Sequence, residues 1–582
     1  MVVSLFSMLS LGSNALQTQQ ILLDIAGQNV ANASTEGYTR QRADILQYQS
    51  VRIGGLLFGV GSRVDTIARI RESLLDDRFR RENSVMGEYS IRMDYLSQIE
   101  DILAEPSQEG IAQALANFFD SLEELTNNPE DEGVRTTVSQ SGVALADSIN
   151  MSYELLNNLR TTTNDFIRTT VDKINTLAAE ISELNKQITG LEAGSGTANA
   201  ALDSRDLLLN QLSELASVEI RRNDNGTVSV YLDGYGLVQD FSYNPIGLRL
   251  TSDIDPTRGD FYEVVAAGDG NRPLNVQSGD LRGYLDIRDG VTTNQVLADL
   301  DTLALEVIEE VNRIHSQGQG LVRYDSLTSD YAVSDADAAL SGADLPFTPQ
   351  DGSFFLAAYD SQGQLLEQHE ITIDADTDTL NTVAAQINAA FASGGRLTAT
   401  VTADNRLMVE TSTPGDTFSF VGDGAQEGDT SDFLLSMGIN SFFTFDPEAG
   451  AAASMAVSDA IQNDVALISA GRSTGPGDNS NALALAQLRN TPLLGANTTA
   501  TLEEFFQATL TTLGYTTQLA TDRQEIQTGV VDGIANMRDA IAGVWLDEEG
   551  VNIIRAQQAY EASARFISAV SDVLDILLEQ VG

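Results

Sequence analysis

Cysteine is absent from all 582 residues, which excludes a disulfide framework, a thiolate nucleophile and any Cys-ligated zinc. Lysine occurs only as Lys173 and Lys186, and 33 basic residues face 84 acidic ones for a net charge of -51. A nucleic-acid groove needs clustered Lys and Arg to displace counterions, so that class of partner is excluded. Histidine occurs twice, which leaves little material for a base or a metal site. No apolar run reaches the roughly 18 residues of a membrane helix. The N-terminus is moderately apolar, but its first positive side chain is Arg40, so the basic region of a cleaved signal is missing. An exported chain of this kind is expected to leave without a cleaved signal.

The acidity is uneven. Residues 1–81 hold nine Arg against seven acidic residues, a net +2, whereas residues 319–464 hold three Arg against 23, a net -20. The first segment can pack closely; the second should be solvated. A length of 582 residues suggests about four units at roughly 150 residues each.

Helical periodicity dominates the first 216 residues. Tyr89, Met93, Leu96 and Leu103 form one stripe, Ile111, Leu115, Leu122 and Leu125 another, and Val134, Val138, Leu145, Leu155 and Leu159 a third. Ile174, Leu177, Ile181, Leu184, Ile188 and Leu191 keep unbroken +3/+4 order, which predicts a long helix closed by Gly190 and Gly194-Ser195-Gly196. A helix from about Asn199 to Ala216 follows. Then the period becomes two: Val228, Val230 and Leu232 lie between the turn dipeptides Asn225-Gly226 and Asp233-Gly234, which predicts a small β segment ending near Gly290. Val296 to Ile314 restores a helix. From about Gly318 to Asp464 the pattern is strand-like, interrupted by one helix over Leu380–Phe391, and helices return at Ala482–Arg489 and Leu502 to about Val544.

Both ends are written in heptads. Leu5, Leu9, Gly12, Leu16, Gln19, Leu23, Ala26 and Val30 follow +4/+3 spacing, and Gln557, Tyr560, Ala564, Ile567, Ser571, Leu574, Leu578 and Val581 follow +3/+4. Such seams want a partner helix, and the simplest partners are each other and the same segments of neighbouring copies. The expected fold class is therefore mixed α and β, multidomain: paired terminal coiled-coil-like helices and a long helical body with inserted β domains. The expected parts are 1–45 with 546–582 as the terminal helices, 46–220 with 275–318 and 465–545 as the body, 221–274 as the small β segment, and 319–464 as the acidic outer β domain.

Catalytic motifs are nearly missing. His369-Glu370-Ile371-Thr372-Ile373 begins like a zinc-protease HExxH but has Ile at the second ligand position and lies in a strand-like run. His315 sits at a helix end, where a cap or buried hydrogen bond is the ordinary role. Asp374, Asp376 and Asp378 resemble the start of a calcium loop, but Thr379 replaces the turn Gly and Ala385 the bidentate Glu. Gly475-Pro476-Gly477-Asp478 lacks the Lys of a phosphate loop. The reading is no enzyme, no cofactor and no metal.

Asn29 to Gln41 is different. Asn32 can end the first helix, Gly37 can take a positive φ, Tyr38 can lay its ring on the helix, and Arg40 and Gln41 offer directional hydrogen bonds. These residues, Asn29-Val30-Ala31-Asn32 with Thr35, Gly37-Tyr38 and Arg40-Gln41, resemble the signature of bacterial flagellar rod, hook and hook-associated proteins, and the Arg-Gln ending resembles the branch that forms the first hook–filament junction. Ser34 and Glu36 depart from it within the turn, where Asn and Pro are commoner. Leu202-Asp203-Ser204-Arg205-Asp206, Ser278-Gly279-Asp280-Leu281-Arg282-Gly283, Asp478 to Leu485 and Gln557 to Ala564 are similar to later family motifs in the same order.

The resemblance implies a structural subunit whose terminal helices line the flagellar export channel, with the body outside them and the β domains exposed. Its assembly interface would comprise Leu5, Leu9, Leu16, Leu23 and Val30; Asn32, Gly37, Tyr38, Arg40 and Gln41; and Gln557, Tyr560, Ile567, Leu574 and Leu578. Implied partners are further copies in a ring, the hook protein, the second junction protein, a chaperone at the C-terminal helix and the flagellar type III export apparatus, with no nucleic acid and no membrane insertion. The implied location is the extracellular flagellum. Alternatives are a hook or rod subunit, a secreted acidic adhesin, or an enzyme on a helical stalk.

A chain this acidic repels its own copies until salt screens them. Sedimentation of the purified chain across roughly 0.01 to 1 M NaCl, where the screening length falls from about 30 to about 3 Å, should show oligomers growing with salt. Oligomers indifferent to salt would contradict this reading.

Overall fold

In the computed structural model the heptads become the N-terminal helix Val2–Ala31 and the C-terminal helix Leu546–Val581. The structure describes residues 2–48, 50–53, 56–103, 110–194, 196–253, 260–421, 428–473, 477–494 and 500–581. Two compact units divide the chain. The first comprises Met1–Tyr95, Thr161–Arg288 and Gln518–Gly582, the second Leu96–Arg160 and Asp289–Thr517.

In the first unit the N-terminal helix leads into a ribbon of antiparallel strands, Gln41–Gln47 on Ser62–Arg69. Asn14 Nδ2 donates to the Val60 carbonyl at 2.9 Å and Thr18 Oγ1 to that of Ser62 at 3.1 Å, so the returning strand is tied along the helix. The expected stripe Ile174–Leu191 lies in one 61-residue helix, Glu132–Glu192, which also absorbs the Val134–Leu159 stripe. Gly190 falls inside it, Leu191 is exposed, and Asn185 rather than its neighbour Leu184 is fully buried. Fully buried Asn185 donates to the carbonyls of Val228 and Asp240, and its Oδ1 accepts from Val228 N–H and Arg205. An apolar core forms where Ile174, Leu177 and Ile181 meet Leu209 and Leu212 of helix Asn199–Leu215 and the strands around Val230 and Leu237. Those strands make a four-stranded meander, Glu219–Arg222, Val228–Leu232, Tyr235–Gln239 and Ser242–Tyr243. Asp233 (φ 48°) and Gly234 (φ 74°) are both left-handed, the pairing that lets a two-residue hairpin follow strand twist. The last strand of the β segment ends at Pro273 and a helix occupies Asp280–Asp289, so the strand-like pattern stops near 274 and does not continue to Gly290.

The second unit carries the acidic β region. Strand Gly352–Tyr359 sits between Leu365–Ile373 and Thr417–Ser419, and a second sheet orders Ser326–Thr328, Leu407–Thr411 and Leu397–Val401. Helix Leu380–Ala390, with a Thr379–Thr382 capping box, closes a core of Phe354, Leu356, Val383, Ile387, Phe418 and Phe433. The charge therefore lies on a domain with an ordinary apolar interior. Asp378 of the calcium-like run serves that helix start: Oδ1 accepts from Thr382 and Gln386.

Helix Val291–His315 holds this domain by side-chain amides. Asn312 Oδ1 accepts from the N–H groups of Phe442 and Phe443, and its Nδ2 donates to the Phe443 carbonyl. His315, completely buried, donates through Nδ1 to the Asn440 carbonyl at 2.8 Å and accepts at Nε2 from Ser469 N–H at 2.9 Å. Burial pushes its pKa down to about 4, so both nitrogens of the neutral ring are used structurally. No helix among the described residues is long and apolar enough to cross a membrane.

Candidate assembly site

The two terminal helices pack on each other antiparallel, Gly12 opposite Ile567 and Asn29 opposite Glu549. A Cβ on Gly12 would stand 2.7 Å from Ile567 Cγ1 and 3.1 Å from Phe566 Cδ1, so only glycine lets the backbones come this close without displacing Ile567. Leu5, Ile25, Ala26 and Asn29 are buried, and Leu9, Leu16 and Leu23 are half-buried. Val30 points outward and Asn29 takes its place in the seam. On the C-terminal helix Tyr560, Ile567 and Leu574 are half-buried, while Gln557 and Ser571 are exposed and Ala556 and Val570 are buried. The inward line is thus Glu549, Ala556, Ser563 and Val570 together with Tyr560, Ile567 and Leu574. The side chain of Leu578 lies outside the described residues.

At the end of the seam the chain turns. The helix stops at Ala31; Asn32 N–H still donates to the Gln28 carbonyl, Thr35 Oγ1 donates to Asn32 Oδ1, and Gly37 takes φ 77° beside Leu207. This brings Tyr38 back over the helix, where its hydroxyl donates to Asn29 Oδ1 at 2.8 Å. Burial, with Asp203 and Glu549 adding to it, raises the Tyr38 pKa to about 12, so the phenol stays a donor. Asn29 Oδ1 also accepts from Gln41 N–H, and its Nδ2 donates to the Gln41 carbonyl and to Glu549 Oε2 at 3.2 Å. Three of the four bonds on this one buried amide are local to the motif, and the fourth crosses to the C-terminal helix.

Arg40 completes the closure. Its Nε donates to Glu549 Oε1 at 2.8 Å, Nη1 to Glu548 Oε2 at 2.9 Å, and its backbone N–H to the Ala542 carbonyl. Glu549 is 2% exposed, and these donors compensate its lost hydration.

A second cluster beneath the turn was not among the expected site residues. Asp206 accepts from Arg69 Nη1 (2.9 Å), Arg71 Nη1 (2.5 Å) and Arg80 Nη2 (2.9 Å). Asp203 accepts from Arg69 and from Thr39 N–H. Asp76 pairs with Arg71 and with Arg538, whose guanidinium lies 4.4 Å from the Phe79 ring centroid. Burial alone would raise the Asp206 pKa; Arg71, Arg69 and Arg80 overcome it and hold the carboxyl down to about 2. The signals were the arginine excess of residues 1–81 and the Asp203-Ser204-Arg205-Asp206 run, whose carboxylates are hard to single out among 84.

Chemically the site is a clasp. A cleft of about 260 Å³ lies beside it, but its buried ionisable walls, Arg71, Asp76, Asp206 and Arg538, are already paired with one another. Among the described residues no group of three or more His, Asp or Glu could hold a metal ion.

Removing the shared carboxylate should be costly. Asp206→Ala leaves buried Arg80 and half-buried Arg69 and Arg71 each short of a partner, with an expected loss of about 3 kcal/mol in unfolding free energy, read by denaturant titration. Because the folded pKa lies below the unfolded 3.8, the Asp206 contribution is complete above about pH 4 and is lost as pH falls towards 2, so the variant should lack that part of the acid slope. Equal stability of the two chains at pH 7 would rule the network out as a structural determinant.

Three family models match the chain: the helical domain of flagellar hook-associated protein FlgK over residues 96–325, flagella basal body rod protein over 9–39, and the C-terminal model of flagellar basal body rod FlgEFG protein over 540–580. Flagellar hook-associated protein 1 of Bacillus subtilis is 30% identical over 351 residues, covering 54% of this chain and 68% of that relative. Those of Salmonella typhimurium and Escherichia coli are 27% identical over 588 and 581 residues, covering 98% of this chain and 99% of each relative. The flagellar hook junction protein FlgK from Burkholderia pseudomallei is similar in fold, with a TM-score of 0.50 and 19% identity over 80% of this chain and 100% of that one.

Proposed function

The chain belongs to the flagellar hook-associated protein 1 family, and from that membership we propose that it forms the junction between hook and filament and is needed for the filament to attach. It is a structural, non-enzymatic component of the flagellar axis that assembles with other hook and rod proteins. The observation that carries the finer reading is the clasp: the two segments matched by rod-protein models, 9–39 and 540–580, are joined by Asn29 and Glu549, with Arg40, the residue just after the first segment, on the same carboxylate.

In this reading residues 1–45 and 546–582 form the inner tube around the export channel. Residues 46–220, 275–318 and 465–545 form the helical body, and 221–274 and 319–464 the outer β parts. Copies of the chain close a ring between the hook protein and the second junction protein, outside the cell, after export through the flagellar type III apparatus. A chaperone of apolar binding surface covers the C-terminal helix beforehand; Val573 and Ile576, exposed on that helix, are the residues it would shield. The acidic domain faces water, which suits its net charge of -20.

A strain lacking this chain should make hooks without filaments and release flagellin into the medium, and supplying the chain in trans should restore attached filaments. Normal filaments in the deletion strain would overturn the proposal.

A further inference from the structure

Two apolar patches of the first unit are left uncovered within the chain. One is the corner between helices Leu502–Ala542 and Leu546–Val581: Met537 and Ile541 share an exposed helix face, and Trp545 (55% exposed) and Leu546 (57%) follow at the turn. The other is the ribbon, where Ile45, Leu46 and Tyr48 are all exposed, Leu46 and Tyr48 at alternate positions on one face. Aromatic and aliphatic side chains clustered in water mark surfaces that something covers, and Trp and Tyr are the residues that most often anchor such contacts.

The charges around the patches are opposite. With the internally paired Arg69, Arg538 and Glu549 set aside, the ribbon presents Arg42, Arg52 and Arg63 against Asp44 and Asp65, a net +1, while Asp539, Asp547 and Glu548 stand exposed around the corner. Arg42 and Arg63 are 67% and 53% exposed, and their ion pairs with Asp44 and Asp65 are short-range surface pairs of little strength. In a chain of net charge -51 most approaches between copies are repulsive; here they attract.

We propose that the ribbon of one copy lies across the helical corner of the next, Leu46 and Tyr48 covering Trp545 and Leu546. The contact joins two different patches, so it is heterologous: it repeats around an axis and does not close a two-fold pair. It rests on the assembly reading above and supplies the surface by which neighbouring copies recognise one another.

The chain has no cysteine and one tryptophan, so two clean reporters are available. Full-length Leu46→Cys and Leu546→Cys chains, co-expressed in the deletion strain and oxidised, should give a disulfide-linked dimer, and either variant alone should give none. On assembly of the unmodified chain, Trp545 emission should shift to the blue. Attached filaments without a mixed disulfide, or dimers formed equally by one variant alone, would overturn this contact and leave the junction reading standing. Assembly with unchanged Trp545 emission would also overturn it. Attached filaments in cells lacking the chain altogether would instead remove the junction reading on which the contact rests.

Discussion

A carboxylate taken almost wholly out of water, that of Glu549, sets how the two ends of the chain meet. A buried charge without partners costs several kcal/mol, so the C-terminal helix can seat only where Asn29 and Arg40 reach it. A slip of one residue along that helix would turn the carboxylate by about 100° and strand it. Coiled-coil seams of small and aliphatic residues tolerate slippage; one polar pair at the end removes that freedom. Gly12 and Ile567 then settle the separation of the helices further along, because the glycine admits a contact that a methyl group would block.

The same logic carries into the body of the first unit. Arg40 follows Thr39, whose N–H is held by Asp203, and Asp203 shares Arg69 with Asp206. Asp206 gathers Arg71 and Arg80, and Asp76 links Arg71 to Arg538 on the helix that leads back to the corner at Trp545. The polar bonds thus run without interruption from the seam to the helices that carry it. For a subunit of a mechanical axis this is apt: directional, multiply shared bonds resist shear between elements better than apolar burial, which has no preferred direction.

Much of this was legible in the residues. Asn32 ends the helix, Gly37 is left-handed, and Tyr38 and Arg40 make the directional side-chain bonds that their chemistry allows, whereas Gln41 meets Asn29 through its backbone. Periodicity found the helices Asn199–Leu215 and Leu380–Ala390 and the Asp233-Gly234 hairpin. The phase of the last helix was half legible: Tyr560, Ile567 and Leu574 lie in the seam, but its other members are Ala556, Ser563 and Val570, and exposed Val551 and Ile554 give the opposite face an apolar signal of its own. Small residues chosen for close approach carry little hydropathy. The Asp206 cluster was hidden for another reason, since which of many carboxylates is buried depends on where distant arginines arrive. Leu184 misled because Asn185 beside it takes the inward position, where its amide satisfies strand ends that a leucine would leave unpaired.

The account stands most directly on the coupling between Arg40 and Glu549. A double-mutant cycle of Arg40→Ala and Glu549→Ala, followed by denaturant unfolding of the full chain, should give a coupling free energy of about 2 kcal/mol, against about 0.5 kcal/mol or less for the exposed pair Arg63–Asp65. Additive losses at Arg40 and Glu549, no larger in coupling than the surface control, would contradict the claim that this buried pair fixes the terminal clasp.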